Sequence, residues 1–370
     1  MLKKTVAIIT LHRVYNYGSA LQAYATGKVF EKHSCKPIII DYRRHQDQLK
    51  NRIFSTDWKN SKSVPEYIKK SVYYVLRFVS IIIKEATIGR FVRCHLNLTK
   101  IYNSPESLKK NPPVADIYVT GSDQTWNSKY NNGIDPAFFL DFVDNAPKIA
   151  FAASIGKTSF DDEESRITAQ YLREYNAISV REKSAKSLLN SLGFAEVVNI
   201  IDPTMQLSKE EWASISTKRL VKNKYLLLML LYNEDNNATK IAREIANRKG
   251  LELVKISWEV RKPNEVDTLM THRTPEDFIS LFYYADFIVT NSFHGLCFAI
   301  NFEKQFVAIK RNEFNSRLDG LLELFDLTDR MVTFENYDAI INESIDYASV
   351  SNKLEEERRT ADMFLQEALQ

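Results

Sequence analysis

Short apolar runs alternate with helical patterns along most of this chain, and this alternation constrains the fold more than any other feature. The run Phe287 to Val289 is continuously hydrophobic, as in a strand that is buried on both faces. A polar turn follows it, and a helical pattern then extends from Leu296 to Phe302. Strands that alternate with helices form parallel sheets covered by helices. We therefore predict an α/β protein, with strands at 5–10, 36–42, 116–120, 148–154, 177–180, 197–201, 225–231, 251–256, 287–289 and 306–309.

The length of 370 residues is enough for two domains of ordinary size. The turn Asp202-Pro203-Thr204-Met205 is interpreted as the hinge at the end of the first domain. We predict an N-terminal α/β domain at 1–205, a C-terminal α/β domain at 206–345 and a C-terminal helix at 346–370. Two Rossmann-like domains that face each other across a cleft can hold two substrates, as group transfer requires.

Composition excludes several classes of protein. The hydrophobic content of 44%, the charged content of 26% and the net charge of +3 are those of a soluble globular protein, and they do not suggest nucleic acid as a partner. Three well-separated cysteines form no metal or redox pair and favour a reducing compartment, so we expect a cytoplasmic protein. The sequence has no G-x-G-x-x-G motif, and we expect neither a metal nor a cofactor.

The segment 43–100 is strongly basic, with 13 Lys or Arg residues against 4 Asp or Glu residues, a net charge of +9. We interpret it as a helical insertion in the first domain, with its main helix over residues 65–85. We favour a helix that packs on the domain with its lysines in water. The alternative is a peripheral contact with an anionic membrane surface, which would place the protein at the inner face of the membrane.

A candidate anion site lies where the strand 287–289 meets its helix. Free backbone N–H groups and the positive end of the helix dipole converge at such a junction, so Ser292 and Gly295 are candidate phosphate contacts. His294 would lie in the first turn, where it can supply a positive charge or a proton. A second junction of this kind, at Asn16 to Ser19, has Gly18 in its loop and Ser19 as the predicted N-cap.

Polar residues at other strand ends are further candidates. Asp123 and Gln124 can bind sugar hydroxyls and Trp126 can stack on a sugar face, although a helix cap with a core tryptophan explains the same residues. Arg181 can bind a carboxylate or phosphate through two N–H groups, or it can form a salt bridge with Glu174 or Glu182. The stretch Asn315-Ser316-Arg317 is predicted to cap a helix that runs to Phe325, so Arg317 is expected near another helix start.

Taken together, these stretches resemble the polysaccharide pyruvyl transferase family. They follow the family order and cover nearly the whole chain apart from residues 43–90. The matching stretches are 16–24 (NYGSALQAY), 119–127 (VTGSDQTWN), 179–182 (SVRE), 202–204 (DPT), 291–295 (NSFHG), 315–317 (NSR) and 327–330 (LTDR).

The resemblance implies a fold similar to the GT-B glycosyltransferases and an enzyme of bacterial capsule or exopolysaccharide synthesis. Such an enzyme takes phosphoenolpyruvate as co-substrate, forms a pyruvate ketal on a glycan or a lipid-linked sugar, and releases phosphate. The implied catalytic residues are His294, Arg181 and Asp123. The implied donor contacts are Arg181, Ser292, His294, Gly295 and Arg317, and the implied acceptor contacts are Asn16, Tyr17, Gly18, Ser19, Asp123, Gln124 and Trp126.

Two other functions are compatible with the sequence. One is a sugar-nucleotide glycosyltransferase on the same scaffold, for which we find no clear nucleotide-binding motif. The other is a non-enzymatic scaffold of a capsule assembly complex that uses the basic segment to contact the membrane. The polar residues clustered at strand ends argue against the scaffold.

Overall fold

A computed structural model of the chain describes residues 3–53, 64–231, 236–259, 261–310, 316–333 and 336–370. The chain divides into two compact units, Met1–Asn199 and Ile200–Gln370, and each contains one parallel sheet. The prediction of two parallel α/β domains is confirmed. The division falls between Asn199 and Ile200, so Asp202-Pro203-Thr204 belongs to the second unit rather than to the end of the first.

The first unit is built on seven parallel strands in the order β3-β2-β1-β4-β5-β6-β7. The central strands are almost fully buried, because they are continuous apolar runs. The strand order reverses between β1 and β4, and open α/β sheets bind ligands at such a point. The strands are β1 (Thr5–Ile9), β2 (Lys36–Tyr42), β3 (Leu98–Tyr102), β4 (Ile117–Thr120), β5 (Lys148–Ala153), β6 (Ala177–Val180) and β7 (Val198–Asn199).

The second unit contains six parallel strands in the order β10-β9-β8-β11-β12-β13. Its order reverses between β8 and β11, so the carboxyl end of β11 lies at the corresponding point of the second sheet. The strands are β8 (Tyr225–Met229), β9 (Glu252–Ser257), β10 (Thr268–Thr271), β11 (Phe287–Thr290), β12 (Gln305–Ile309) and β13 (Met331–Val332).

Helices lie between most consecutive strands of both sheets, as is usual for parallel strands. In the first unit they are α1 (Tyr17–Lys32), α2 (Leu49–Ile53), α3 (Val64–Lys84), α4 (Arg90–His95), α5 (Pro105–Lys110), α6 (Ser128–Asn131), α7 (Asp162–Leu172) and α8 (Lys183–Ser191). In the second unit they are α9 (Pro203–Gln206), α10 (Lys209–Ala213), α11 (Asn236–Lys249), α12 (Pro275–Tyr283), α13 (Phe293–Asn301), α14 (Ser316–Leu324), α15 (Tyr337–Ile340) and α16 (Tyr347–Ala368).

The basic segment differs from its prediction in two ways. Helix α3 occurs where it was expected, but the segment also contains β3, which pairs with β2 at the edge of the sheet. The favoured packing of the helix is wrong, because residues such as Leu76 on its apolar side are exposed to solvent. The charge count did not reveal this, since it describes composition and not which side of the helix meets the domain.

Candidate functional site

The turn between β11 and α13 is held by its own side chains. Thr290 Oγ1 donates to the carbonyl of Met229 (2.7 Å) and accepts from the Ser292 amide (3.1 Å). Asn291 Oδ1 accepts from the Leu231 amide (2.8 Å), which joins the turn to the end of β8. Ser292 is the N-cap of α13, and its Oγ accepts from the Gly295 amide (3.3 Å). The predicted strand, turn and helix start are all present, and the junction has a fixed geometry.

Gly295 lets the first turn of α13 lie directly on the end of β11. A Cβ atom added at this position would lie 2.4 Å from Thr290 Oγ1 and 3.2 Å from Ser292 Cβ. Since no side chain fits at that distance, the close approach of helix and strand requires glycine here. The same approach brings the backbone amides of the first turn to the carboxyl edge of the sheet.

His294 lies beside a buried carboxylate. Its Nε2 atom is 3.9 Å from Oδ2 of Asp202, and both residues are buried. Asp202 is the N-cap of α9, where its Oδ1 accepts from the amide of Thr204 (2.9 Å) and from the Thr204 hydroxyl (2.7 Å). One carboxylate oxygen therefore holds α9, while the other faces the imidazole and can orient it.

Asp202 is the site residue that sequence reasoning missed. An Asp-Pro-Thr turn is fully explained as a helix cap with proline at the first helical position, so nothing in the pattern required a second contact. Its one signal was its place among the stretches that resemble the family.

Arg317 adds a positive charge near this helix start. It lies in the first turn of α14, and its guanidinium carbon is 5.8 Å from the ring centroid of Phe293, the neighbour of His294 in sequence. Asn315, which was predicted to cap this helix, lies outside the described residues. The second unit thus brings Ser292, His294, Gly295 and Arg317 to one region. Helix-start amides, an imidazole and a guanidinium together suit an anion such as a phosphate.

In the first unit, Asp123 is at the centre of a buried polar cluster after β4. Its Oδ2 accepts from the Ser19 hydroxyl (2.6 Å), and its Oδ1 accepts from the Gln124 amide (2.9 Å). Its backbone is left-handed, with φ of 73°, a conformation that aspartate and asparagine tolerate better than most residues. The structure therefore places Ser19 and Asp123 together, as the predicted acceptor side requires.

Arg181 is enclosed within this cluster, and its side chain has no exposed surface. Its guanidinium lies 3.4 Å from Asp123 Oδ1, 3.4 Å from Ser122 Oγ and 3.2 Å from Glu182 Oε1. Glu182 also accepts from the hydroxyl of Ser154. These contacts favour the alternative role of Arg181, a salt bridge with Glu182, whereas Glu174 pairs with Lys148.

The remaining acceptor candidates have local roles. Asn16, and not Ser19, is the N-cap of α1, and its Oδ1 accepts from the amides of Gly18 (2.8 Å) and Ser19 (3.4 Å). Tyr17 is buried in the first turn of that helix, and Gln124 accepts from the side-chain amide of Asn127 (2.7 Å).

Trp126 is a core residue, and this placement corrects its expected role in stacking on a sugar. Only 3% of it is exposed, its indole N–H donates to the carbonyl of Phe138 (3.0 Å), and its ring stacks on Phe139. A tryptophan that is covered on its faces and satisfied at its nitrogen cannot present a ring to a ligand.

Comparison with solved structures identifies the fold as GT-B. The UDP-N-acetylglucosamine 2-epimerase from Rickettsia bellii is similar with a TM-score of 0.53 at 12% identity, over 99% of this chain and 96% of that chain. The complex of LpCGTa with UDP gives a TM-score of 0.51 at 11% identity, over 99% and 98% of the two chains. At these identities the similarity shows the fold alone.

Sequence comparison with curated proteins gives no significant match. A sequence model of one family does match, over residues 16–313, and its description is polysaccharide pyruvyl transferase. The match includes both the Asp123 cluster and the start of α13. With most of its length matched, the chain belongs to the polysaccharide pyruvyl transferase family.

Proposed function

We propose that this protein transfers a pyruvyl group from phosphoenolpyruvate to two hydroxyls of a sugar, in a surface polysaccharide or in its lipid-linked precursor. Membership of the family implies a transferase of polysaccharide biosynthesis. The observation that carries the finer proposal is the start of α13, where His294 lies beside the buried Asp202 at the end of a helix that favours anions.

The chemistry of the donor fits this helix start. Phosphoenolpyruvate carries a phosphate and a carboxylate, so its site must supply several hydrogen-bond donors and positive charge. The Ser292 and Gly295 amides are taken up by the turn itself, so in the proposal the first turn of α13 faces the phosphate with the positive end of the helix dipole, and Arg317 contributes a guanidinium beside it. Asp202 holds the imidazole of His294 in one orientation and neutralises part of the charge of an imidazolium.

Ketal formation needs one proton delivered and two removed. A proton added to the methylene carbon of phosphoenolpyruvate makes C2 electrophilic, and the first sugar hydroxyl then forms a C–O bond to C2. The bond from C2 to the phosphate oxygen breaks, and the second hydroxyl forms the second C–O bond. The two hydroxyls together lose two protons. One replaces the proton that was delivered to the methylene carbon, and the other leaves with the phosphate as hydrogen phosphate.

Two residues are assigned to these proton transfers in the proposal. His294 acts at the donor, as the acid that protonates the methylene carbon or as a ligand of the phosphate. Asp123 contacts the acceptor or takes a hydroxyl proton, and Ser19, Asn16 and Gly18 complete the acceptor side. Arg181 fixes the Asp123 carboxylate, since its contacts lie inside the protein.

Phosphate release from phosphoenolpyruvate tests the proposal, with purified protein and acceptors that bear galactose, mannose or glucose. Acceptor-dependent release that is lost in His294→Ala and retained in His45→Ala, a change at an exposed histidine, supports it. If phosphoenolpyruvate is neither consumed nor bound in calorimetry, the donor assignment is wrong.

Two further measurements separate the alternatives. A sugar-nucleotide glycosyltransferase would be stabilised by a nucleotide and not by phosphoenolpyruvate in a thermal-shift assay. A scaffold would keep its biological activity in His294→Ala.

A further inference from the structure

Helix α3 presents an apolar surface to solvent, the opposite of the usual arrangement of an amphipathic helix on a domain. Residues at i, i+3, i+4, i+7 and i+10 form one stripe along it, and two aromatic residues flank the stripe. These residues, each between 46% and 65% exposed, are Val72, Tyr73, Val75, Leu76, Phe78, Val79 and Ile82. Single exposed apolar residues are ordinary, but a contiguous stripe of this size marks a surface that binds something apolar.

The opposite side of the helix faces the domain and is partly polar. Ile81 is buried there, and Arg77 and Lys84 are half-buried, at helical spacings that place them on one side. Packing inside the first unit therefore does not use the apolar stripe. Leaving seven large apolar side chains in water is unfavourable. The orientation of α3 therefore indicates that another molecule covers its outer face.

The charge of the region indicates what kind of molecule binds the apolar stripe. Residues 64–93 contain six Lys or Arg residues against two Asp or Glu residues, a net charge of +4 within the longer basic segment. Arg90 and Arg93, just beyond α3, are exposed. A second copy of the chain that docked through the same face would bring two segments of net positive charge close together. An anionic membrane surface, with its apolar interior, matches both the apolar stripe and the positive charge of the region.

We propose that α3 lies flat on a bilayer that contains anionic lipid, with its apolar stripe between the headgroups and with the exposed Arg90 and Arg93, which follow the helix, near the phosphates. A helix of 21 residues is about 31 Å long, enough for a stable interfacial contact. No helix among the described residues is long and apolar enough to cross a membrane. The proposal rests on α3 alone and does not depend on the donor or the acceptor.

Vesicle flotation of the full-length protein tests the proposal directly. One set of vesicles is pure phosphatidylcholine, and the other is an equimolar mixture with phosphatidylglycerol. We expect binding to the anionic vesicles, weakened by added salt because salt screens the lipid charge. The triple variant Val75→Ser, Leu76→Ser and Val79→Ser should reduce binding by at least roughly tenfold, since each change removes apolar area from the membrane contact.

Controls distinguish a loss of membrane binding from unfolding and from non-specific adsorption. The triple variant should keep the wild-type melting temperature, because all three side chains are exposed. Val114→Ser, at a position that is 92% exposed outside the stripe, should bind vesicles like the wild type. Absence of binding to anionic vesicles overturns the proposal. A dimer in light scattering that the triple variant converts to a monomer, without vesicle binding, overturns it in favour of a second copy.

Discussion

The Oδ2 atom of Asp202 lies 3.9 Å from Nε2 of His294, and the same carboxylate caps α9 through its other oxygen. The imidazole therefore faces a group whose position is fixed by two hydrogen bonds to Thr204. In the proposed reaction Asp202 is a positioning residue for His294, because it would act on the donor through the histidine.

Asp202→Asn should reduce acceptor-dependent phosphate release by up to about a hundredfold, the size of effect that a small misplacement of a reacting group can have. Asparagine retains an oxygen for the cap of α9, so the melting temperature should change little. In the background of His294→Ala the same change should have almost no further effect on the small residual turnover. Independent, additive losses in the double variant would show that Asp202 does not act through His294.

Arg181→Ala should unfold more easily than the wild type, by about 3 kcal/mol in the free energy of unfolding, because it leaves the buried carboxylates of Asp123 and Glu182 without their guanidinium. Urea denaturation measures this difference. Arg166→Ala, at an exposed arginine of α7, serves as the matched control and should differ by less than about 0.5 kcal/mol. A stable Arg181→Ala that fails only to bind phosphoenolpyruvate would restore the donor role implied by the family.

The sequence predicted most strands of both sheets, because buried parallel strands are continuous apolar runs that stand out beside helical patterns. It missed β3, β10 and β13. The strand β3 lies at the edge of its sheet and is partly exposed, so its residues include Thr99 and Lys100 and carry no apolar run. The strand β13 has two residues, too few for any pattern.

Prediction of the site was limited by contacts that are distant in sequence. Local pattern located Ser292, His294 and Gly295, since a strand, a turn and a helix start are adjacent in the chain. It could not show that Asp202 faces His294, or that Arg181 is enclosed by Asp123 and Glu182. Trp126 shows the same limit, because its residue type suits both a sugar platform and a core, and burial alone distinguishes them.

Gly295→Ala should destabilise the protein by about 1–3 kcal/mol, because the added methyl group would lie 2.4 Å from Thr290 Oγ1 and push α13 away from β11. Phosphoenolpyruvate binding should weaken as well, since the amides of the first turn move. Gly320→Ala is the matched control, because among the described residues no atom outside the local backbone of α14 lies within 4 Å of its added Cβ. That change in α14 should be neutral or slightly stabilising. Thermal melting and calorimetry measure both variants, and equal behaviour of the two would contradict the tight packing of α13.

Lys304 should make stability depend on pH under alkaline conditions. Burial, aided by repulsion from Lys209, lowers the pKa of Lys304 from 10.5 to about 8. The folded state therefore loses this proton at a lower pH than the unfolded state, so the contribution of Lys304 to stability rises between pH 8 and pH 10.5. Lys304→Met should remove that contribution. The control Lys110→Met, at an exposed position, should leave the pH dependence of stability unchanged. Urea denaturation at several pH values measures the difference, and parallel curves for the wild type and Lys304→Met would refute the prediction.

Asp123→Asn separates proton removal from donor binding. Asparagine tolerates the left-handed backbone at this position, where φ is 73°, whereas alanine would add strain of about 1–2 kcal/mol. If Asp123 takes a proton from the acceptor, turnover should fall by roughly 10²–10⁴-fold while the calorimetric affinity for phosphoenolpyruvate stays the same. Ser19→Ala, which removes the 2.6 Å hydrogen bond to the same carboxylate, is the matched control and should lower turnover far less. Turnover of Asp123→Asn equal to that of the wild type would remove Asp123 from the reaction and leave it a structural partner of Arg181.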